Sequence, residues 1–135
     1  MLGVWALANL LLSGYRLPRT DARQWPHHFH LMNCGWAMVN AVLAAVGILR
    51  THPGRPAPDF TAVAAAADQA QTGLIFLVNV GLDLGYLALA AWLVDRAGWP
   101  TARRPERLLG YGRSIRLQGA FLLAFDLLMW LVLRR

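Results

Sequence analysis

The side chains that could do chemistry in this sequence fall into two sets. One is the run HHFHLMNC, where His27, His28 and His30 stand immediately before Met32, Asn33 and Cys34. The other is a series of polar residues set singly into apolar stretches: Asn9, Asn33, Asn40, Asn79, Asp83, Gln118 and Asp126. Clustered histidines raise the possibility of a metal or haem. Isolated carboxyls and amides in an apolar setting raise that of a bound proton, cation or small polar ligand.

The histidine spacing argues against the first possibility. A zinc hydrolase helix places two histidines at i and i+4 with an acid between them, and neither feature is present. Haem with two histidine ligands needs a second histidine across a bundle. The only one outside the run is His52, which lies 22 residues past His30, roughly 33 Å along a helix. His27 and His28 are therefore expected at the water-facing end of a helix. No cofactor or metal is expected at this segment. The single cysteine, Cys34, excludes an intrachain disulfide and any multi-cysteine metal centre within one chain. His30 stands apart because it is three residues before Asn33 and can cap a polar stripe running inward from it.

The second set is spaced to share helix faces. At about 100° per residue, Asn33 and Asn40 differ by about 20° around a helix, Asn79 and Asp83 by about 40°, and Gln118 and Asp126 by about 80°. Tyr86 falls on the Asp83 face. Small residues accompany them: Ala37, Ala41 and Ala44 near the asparagine face, Gly81 and Gly85 around Asp83, and Gly119 beside Gln118. Such residues let helices approach closely. Two readings follow. The leading one is an accessory or scaffold bundle whose polar groups form an interhelical hydrogen-bond network that fixes packing; the alternative is that His30, Asn33, Asn40, Asn79, Asp83, Tyr86, Gln118 and Asp126 hold a small ligand, proton or cation. No nucleophile–base pair or metal triad is visible, so the sequence leans away from an enzyme.

The elements that carry these residues are apolar helices. The chain has 135 residues, of which 57% are hydrophobic and 15% charged; soluble domains run near 45–50% and about 25%. Residues 31–49 carry no charge, 72–94 only Asp83, and 117–133 only Asp126. Each run is close to the ~20 residues that cross a bilayer core. The run 2–12 is shorter and must borrow Ser13, Gly14 and Tyr15. It is read as a retained helix, since no basic segment precedes it and Asn9 interrupts it. Pro26, the proline-rich THPGRPAPD stretch and Pro105 punctuate the chain. The reading is all-α: one domain, 1–135, folded as an up-down four-helix transmembrane bundle with helices at about 2–16, 26–50, 59–97 and 105–134. Asp59 reads as the cap of the third helix.

All 13 basic residues are arginine, a bias that suggests a GC-rich bacterial genome. They sit in short loops and not along a recognition element, so nucleic acid is not an expected partner. Nine lie in the first and third loops and four on the other side. The positive-inside rule then places those loops in the cytoplasm and both termini outside the inner membrane. The expected partners are the lipid bilayer and either a second copy or a larger membrane complex.

The stretches WALANLLLSGYR, HFHLMNCGWAMVN, FLVNVGLDLGYL and LLGYGRSIRLQGAFLLAFD together resemble a family of uncharacterised small bacterial membrane proteins known only as a domain of unknown function. The resemblance covers nearly the whole chain outside THPGRPAPD and WPTARRPE. It implies a four-span membrane protein, assigns no activity, and favours treating the intramembrane polar residues as one unit.

Overall fold

The computed structural model describes residues 1–50 and 62–134. The expected THPGRPAPD loop and the Asp59 cap lie outside the described residues. Four helices make up the rest: α1 (Leu2–Arg16), α2 (Trp25–Arg50), α3 (Ala62–Ala97) and α4 (Pro105–Leu133), with a 3₁₀ turn at Leu17–Arg19 after α1. Among the described residues there is no strand, and the fold is an all-α bundle.

Proline sets two of the helix starts. Pro26 lies in the first turn of α2 and Pro105 opens α4, positions where a missing N–H leaves no helical bond unmade. The residue before Pro105, Arg104, has a left-handed backbone with φ 57°. It turns the chain sharply between α3 and α4. At the end of α3, the Gly98 N–H bonds the Asp95 carbonyl at 3.0 Å and the Trp99 N–H bonds the Arg96 carbonyl at 3.2 Å. Both tighten the last turn and satisfy carbonyls that would otherwise be free.

The contacts between helices fix their directions. Between α1 and α2, Asn9 meets Asn33, Ser13 meets His30, and Gly3 lies against Ala44; as one number rises the other falls, so the pair is antiparallel. Between α3 and α4, Asp83 meets Asp126 and Gly112 meets Ala90 and Val94, again antiparallel. Between α2 and α4, Gly110 meets Trp25 and His28, and Ser114 meets Asn33, so these two run parallel. The order is up-down-up-down. Helix α4 packs on both α2 and α3, and α1 packs on α2, whereas α2 and α3 have no close backbone approach among the described residues.

Glycines make α4 the central helix. A Cβ at Gly110 would lie 2.5 Å from the Trp25 carbonyl oxygen and 2.7 Å from His28 Cβ. One at Gly112 would lie 2.8 Å from Val94 Cγ2 and 3.0 Å from the Ala90 carbonyl oxygen. The Gly110-Tyr111-Gly112 element thus lets α4 press against α2 on one side and α3 on the other. The expectation for Gly81 and Gly85 is corrected: a Cβ at either would meet nothing within 4 Å, because both face away from the neighbouring helices. Gly119 makes ordinary contact with Tyr86 and Leu87. Ala37 is fully buried, and Ala41 is exposed.

The burial pattern is inverted relative to a water-soluble bundle. Buried polar residues include Asn9, Ser13, Asn33, Asn40, Asp83, Ser114, Gln118 and Asp126, while large apolar side chains such as Leu7, Val42, Leu74, Leu84, Trp92 and Leu131 face outward. Gln118 is 1% exposed and Leu74 61%. Helices α2, α3 and α4 are long and apolar enough to cross a membrane. Helix α1 has 15 residues, about 22 Å at 1.5 Å per residue.

Candidate functional site

The polar residues gather at two levels of the bundle. At the first level α1, α2 and α4 meet around Asn33. Its Nδ2 donates to Asn9 Oδ1 at 3.0 Å and to Ser13 Oγ at 3.3 Å. Its Oδ1 accepts from Ser114 Oγ at 2.8 Å and from Gln118 Nε2 at 2.9 Å. These four bonds use the full capacity of an asparagine side chain. Gln118 Nε2 also donates to Asn9 Oδ1 at 3.2 Å, and Gln118 Oε1 accepts the Trp5 indole N–H at 2.8 Å. Asn9 Nδ2 returns to the Trp5 carbonyl at 2.9 Å. Ser13 Oγ lies 3.2 Å from His30 Nδ1. The result is a closed network in which every side-chain polar atom of Asn9, Asn33 and Gln118 has a partner, as a buried polar cluster needs if it is to stabilise packing.

The other histidines hold the connection between α1 and α2. His27 Nδ1 lies 3.3 Å from Thr20 Oγ1 and 3.2 Å from the Thr20 carbonyl oxygen. His28 Nε2 lies 3.0 Å from the Ala22 carbonyl oxygen, and its ring meets Tyr111 edge-on at 5.7 Å. His28, in the first turn of α2, is 5% exposed, because Gly110 removes the side chain that would otherwise keep α4 off it. Among the described residues no three His, Cys, Asp or Glu side chains are grouped as a metal would require.

The second level lies where the α2 and α3 backbones stay apart among the described residues. A pocket of about 440 Å³ opens there, within the ~300–1,000 Å³ range of small-molecule sites. Asn40 from α2, Asn79, Asp83 and Tyr86 from α3, and Asp126 from α4 supply its polar surface, with Trp36, Phe76 and Phe125 among the apolar walls. The Trp36 and Tyr86 rings meet edge-on at 5.4 Å and are the bridge between α2 and α3. The Asp83 and Asp126 side chains meet between α3 and α4.

Unlike the first level, this one is incomplete. Asn40 is 1% exposed and Asp83 3%, yet Asn40 Nδ2 has no acceptor and no amide or hydroxyl donor reaches Asp83 Oδ2. An unsatisfied buried polar group costs about 1–3 kcal/mol. Two such groups beside one pocket call for a partner that the chain itself does not supply.

The eight residues singled out in the sequence are thereby divided. His30, Asn33 and Gln118 belong to the closed network, and Asn40, Asn79, Asp83, Tyr86 and Asp126 to the pocket. Ser13, Ser114 and Trp5 are site residues that the sequence reading did not single out for a site. A signal existed for the serines: each lies four residues from a network amide on its own helix, Ser13 after Asn9 and Ser114 before Gln118, and i, i+4 pairs share a face. For Trp5 the signal is weaker, because a tryptophan near a helix end also reads as an interface anchor. Here its ring stacks on Phe121, with centroids 4.0 Å apart, and its N–H is spent on Gln118.

A helical bundle with an outward apolar surface, a satisfied polar centre and an acidic pocket defines the class of molecule. The particular family follows from its sequence: residues 1–127 match a family of unknown function, DUF6992, and the chain belongs to it. No curated protein and no solved structure matches the chain.

Proposed function

We propose that the protein is a non-enzymatic, multi-pass protein of the bacterial inner membrane that binds a small, polar-headed apolar molecule in the Asp83/Asp126 pocket. The observation that carries the reading is the pair of buried, unsatisfied groups, Asn40 Nδ2 and Asp83 Oδ2, on the wall of a pocket with otherwise mainly apolar sides. One group offers a hydrogen and the other accepts one. A hydroxyl head carries both complements in a single atom pair. The acidic Asp83–Asp126 pair also suits a protonated amine or a proton itself.

Membrane residence is supported by the outward apolar surface and by the three long apolar helices. The first and third loops are placed in the cytoplasm and the termini outside, on the nine-to-four arginine imbalance. The tests are direct. In detergent-purified protein, decyl alcohol should raise the unfolding temperature by about 2–4 °C when it fills the site, decane should not, and Asn40→Leu should abolish the difference. Equal behaviour of the alcohol and the alkane would overturn the binding reading. Recovery of the chain in the supernatant after alkaline extraction of membranes would overturn the membrane reading.

A second reading is favoured by the other half of the interior. The closed network around Asn33 ties three helices and leaves no room for a ligand, which is the build of a scaffold. On that reading the protein is an accessory bundle in a homo-oligomer or a larger membrane complex, and the pocket is filled by a partner's side chain.

A further inference from the structure

A second cavity lies nearer the start of α2 than the acidic pocket does and has the opposite charge. It occupies about 580 Å³ between the first turns of α2 and the first half of α4. Arg113 and Arg116 stand on its rim together with His30, and Trp25, Phe29 and Leu117 form apolar wall. The Arg113 guanidinium lies 4.2 Å over the Trp25 ring, which holds it at the mouth of the groove by a cation–π contact. No carboxylate lines the groove, and the first turn of α2 carries no acidic residue. The N-terminal end of α2 adds positive potential to the two arginines. Both arginines are exposed, whereas the wall below them is a seam between two apolar helices.

We infer that this groove seats the headgroup of an acidic phospholipid, with the phosphate between Arg113 and Arg116 and an acyl chain along Phe29 and Leu117. The inference rests on the membrane reading above. Charge complementarity selects the occupant: a bidentate guanidinium recognises phosphate, a free phosphate gains nothing from the apolar wall, and a zwitterionic lipid brings a like-charged ammonium to two arginines. The position agrees with the proposed topology. Both helix starts belong to the arginine-rich side, which faces the leaflet where anionic lipids attract basic segments.

The experiment uses the full chain in mild detergent, with unfolding temperature as the readout. Adding phosphatidylglycerol should raise it by about 3–5 °C. Phosphatidylcholine at equal mole fraction and inorganic phosphate should leave it unchanged. In the Arg113→Gln/Arg116→Gln variant the rise should fall by more than half, while Arg103→Gln/Arg107→Gln, which removes the same charge outside the groove, should keep it. In the unaltered protein, high salt should shrink the rise, since exposed charge contacts are screened. An equal rise in both double variants, or one insensitive to salt, would overturn the assignment. So would an equal response to phosphatidylcholine or to inorganic phosphate, the latter marking a free-anion site. Each of these outcomes is independent of the alkaline extraction that tests membrane residence.

Discussion

At the level of Asn33 every polar atom of the central amides finds a partner; at the level of Asp83, on the continuation of the same helix faces, two do not. Asn33 and Asn40 are seven residues apart on α2, about 10 Å along the axis. Residue chemistry alone does not explain the difference, since Asn33 and Asn40 are both buried asparagines on one face of α2. Helix spacing does. Gly110 draws α4 onto the start of α2, so α1, α2 and α4 converge and their polar groups reach one another. Further along, α3 stays with α4 through Gly112 and Gly119, and α2 does not follow. A gap opens, and the polar groups lining it look across empty space. A buried polar residue can therefore serve as a fastener or as a binding group depending on what the backbone brings opposite it.

The comparison breaks most decisively at Asn33. Asn33→Leu removes four hydrogen bonds and strands Ser114 and part of Gln118, so thermal unfolding in detergent should show a loss of about 3 kcal/mol. A change below 1 kcal/mol would mean that the network is not a fastener, in keeping with the ~0.6 kcal/mol average of intramembrane hydrogen bonds. Next comes Gly110→Ala. Its Cβ would collide with the backbone of Trp25 and Phe29, which cannot swing aside, and overpacking of this kind costs about 1–3 kcal/mol. Gly85→Ala, with nothing within 4 Å, should be neutral or stabilising by about 0.5–1 kcal/mol through helix propensity. Comparable losses at the two glycines would deny that the convergence is set at Gly110.

Trp5→Phe sharpens the picture at a smaller scale. The ring stack on Phe121 survives, but Gln118 Oε1 loses its donor. A loss of about 1–2 kcal/mol is expected, and Gln118→Leu in the same background should then cost less than it does alone, because the two side chains share one bond.

How much of this was legible follows the same division. The fold class could be read because charge-free runs of bilayer length and proline stops are one-dimensional signals. Facing polar residues could be read from their angular spacing. What could not be read is the distance between helices, since periodicity gives direction and not separation. Asn33 and Asn40 looked alike for that reason. Gly81 and Gly85 looked like contact residues although they face outward, and Gly110, whose spacing carries no angular hint, turned out to be the close approach. The burial of His28 could not be read for the same cause: it depends on a glycine on another helix.

The smallest expected effect is the most discriminating one. Asn40→Leu replaces a buried amide that has an unsatisfied donor with a side chain of similar volume. If the pocket is the incomplete half of the molecule, unliganded protein should be unchanged or stabilised by up to about 1 kcal/mol, the opposite sign to Asn33→Leu on the same helix face. If Asn40 were a fastener like Asn33, the two substitutions would share a sign. The pair thus isolates the role of position from that of residue type. Residues given up by the stable Asn40→Leu protein should be those of ligand capture alone, so retained stability with lost response to decyl alcohol would separate binding from packing within one variant.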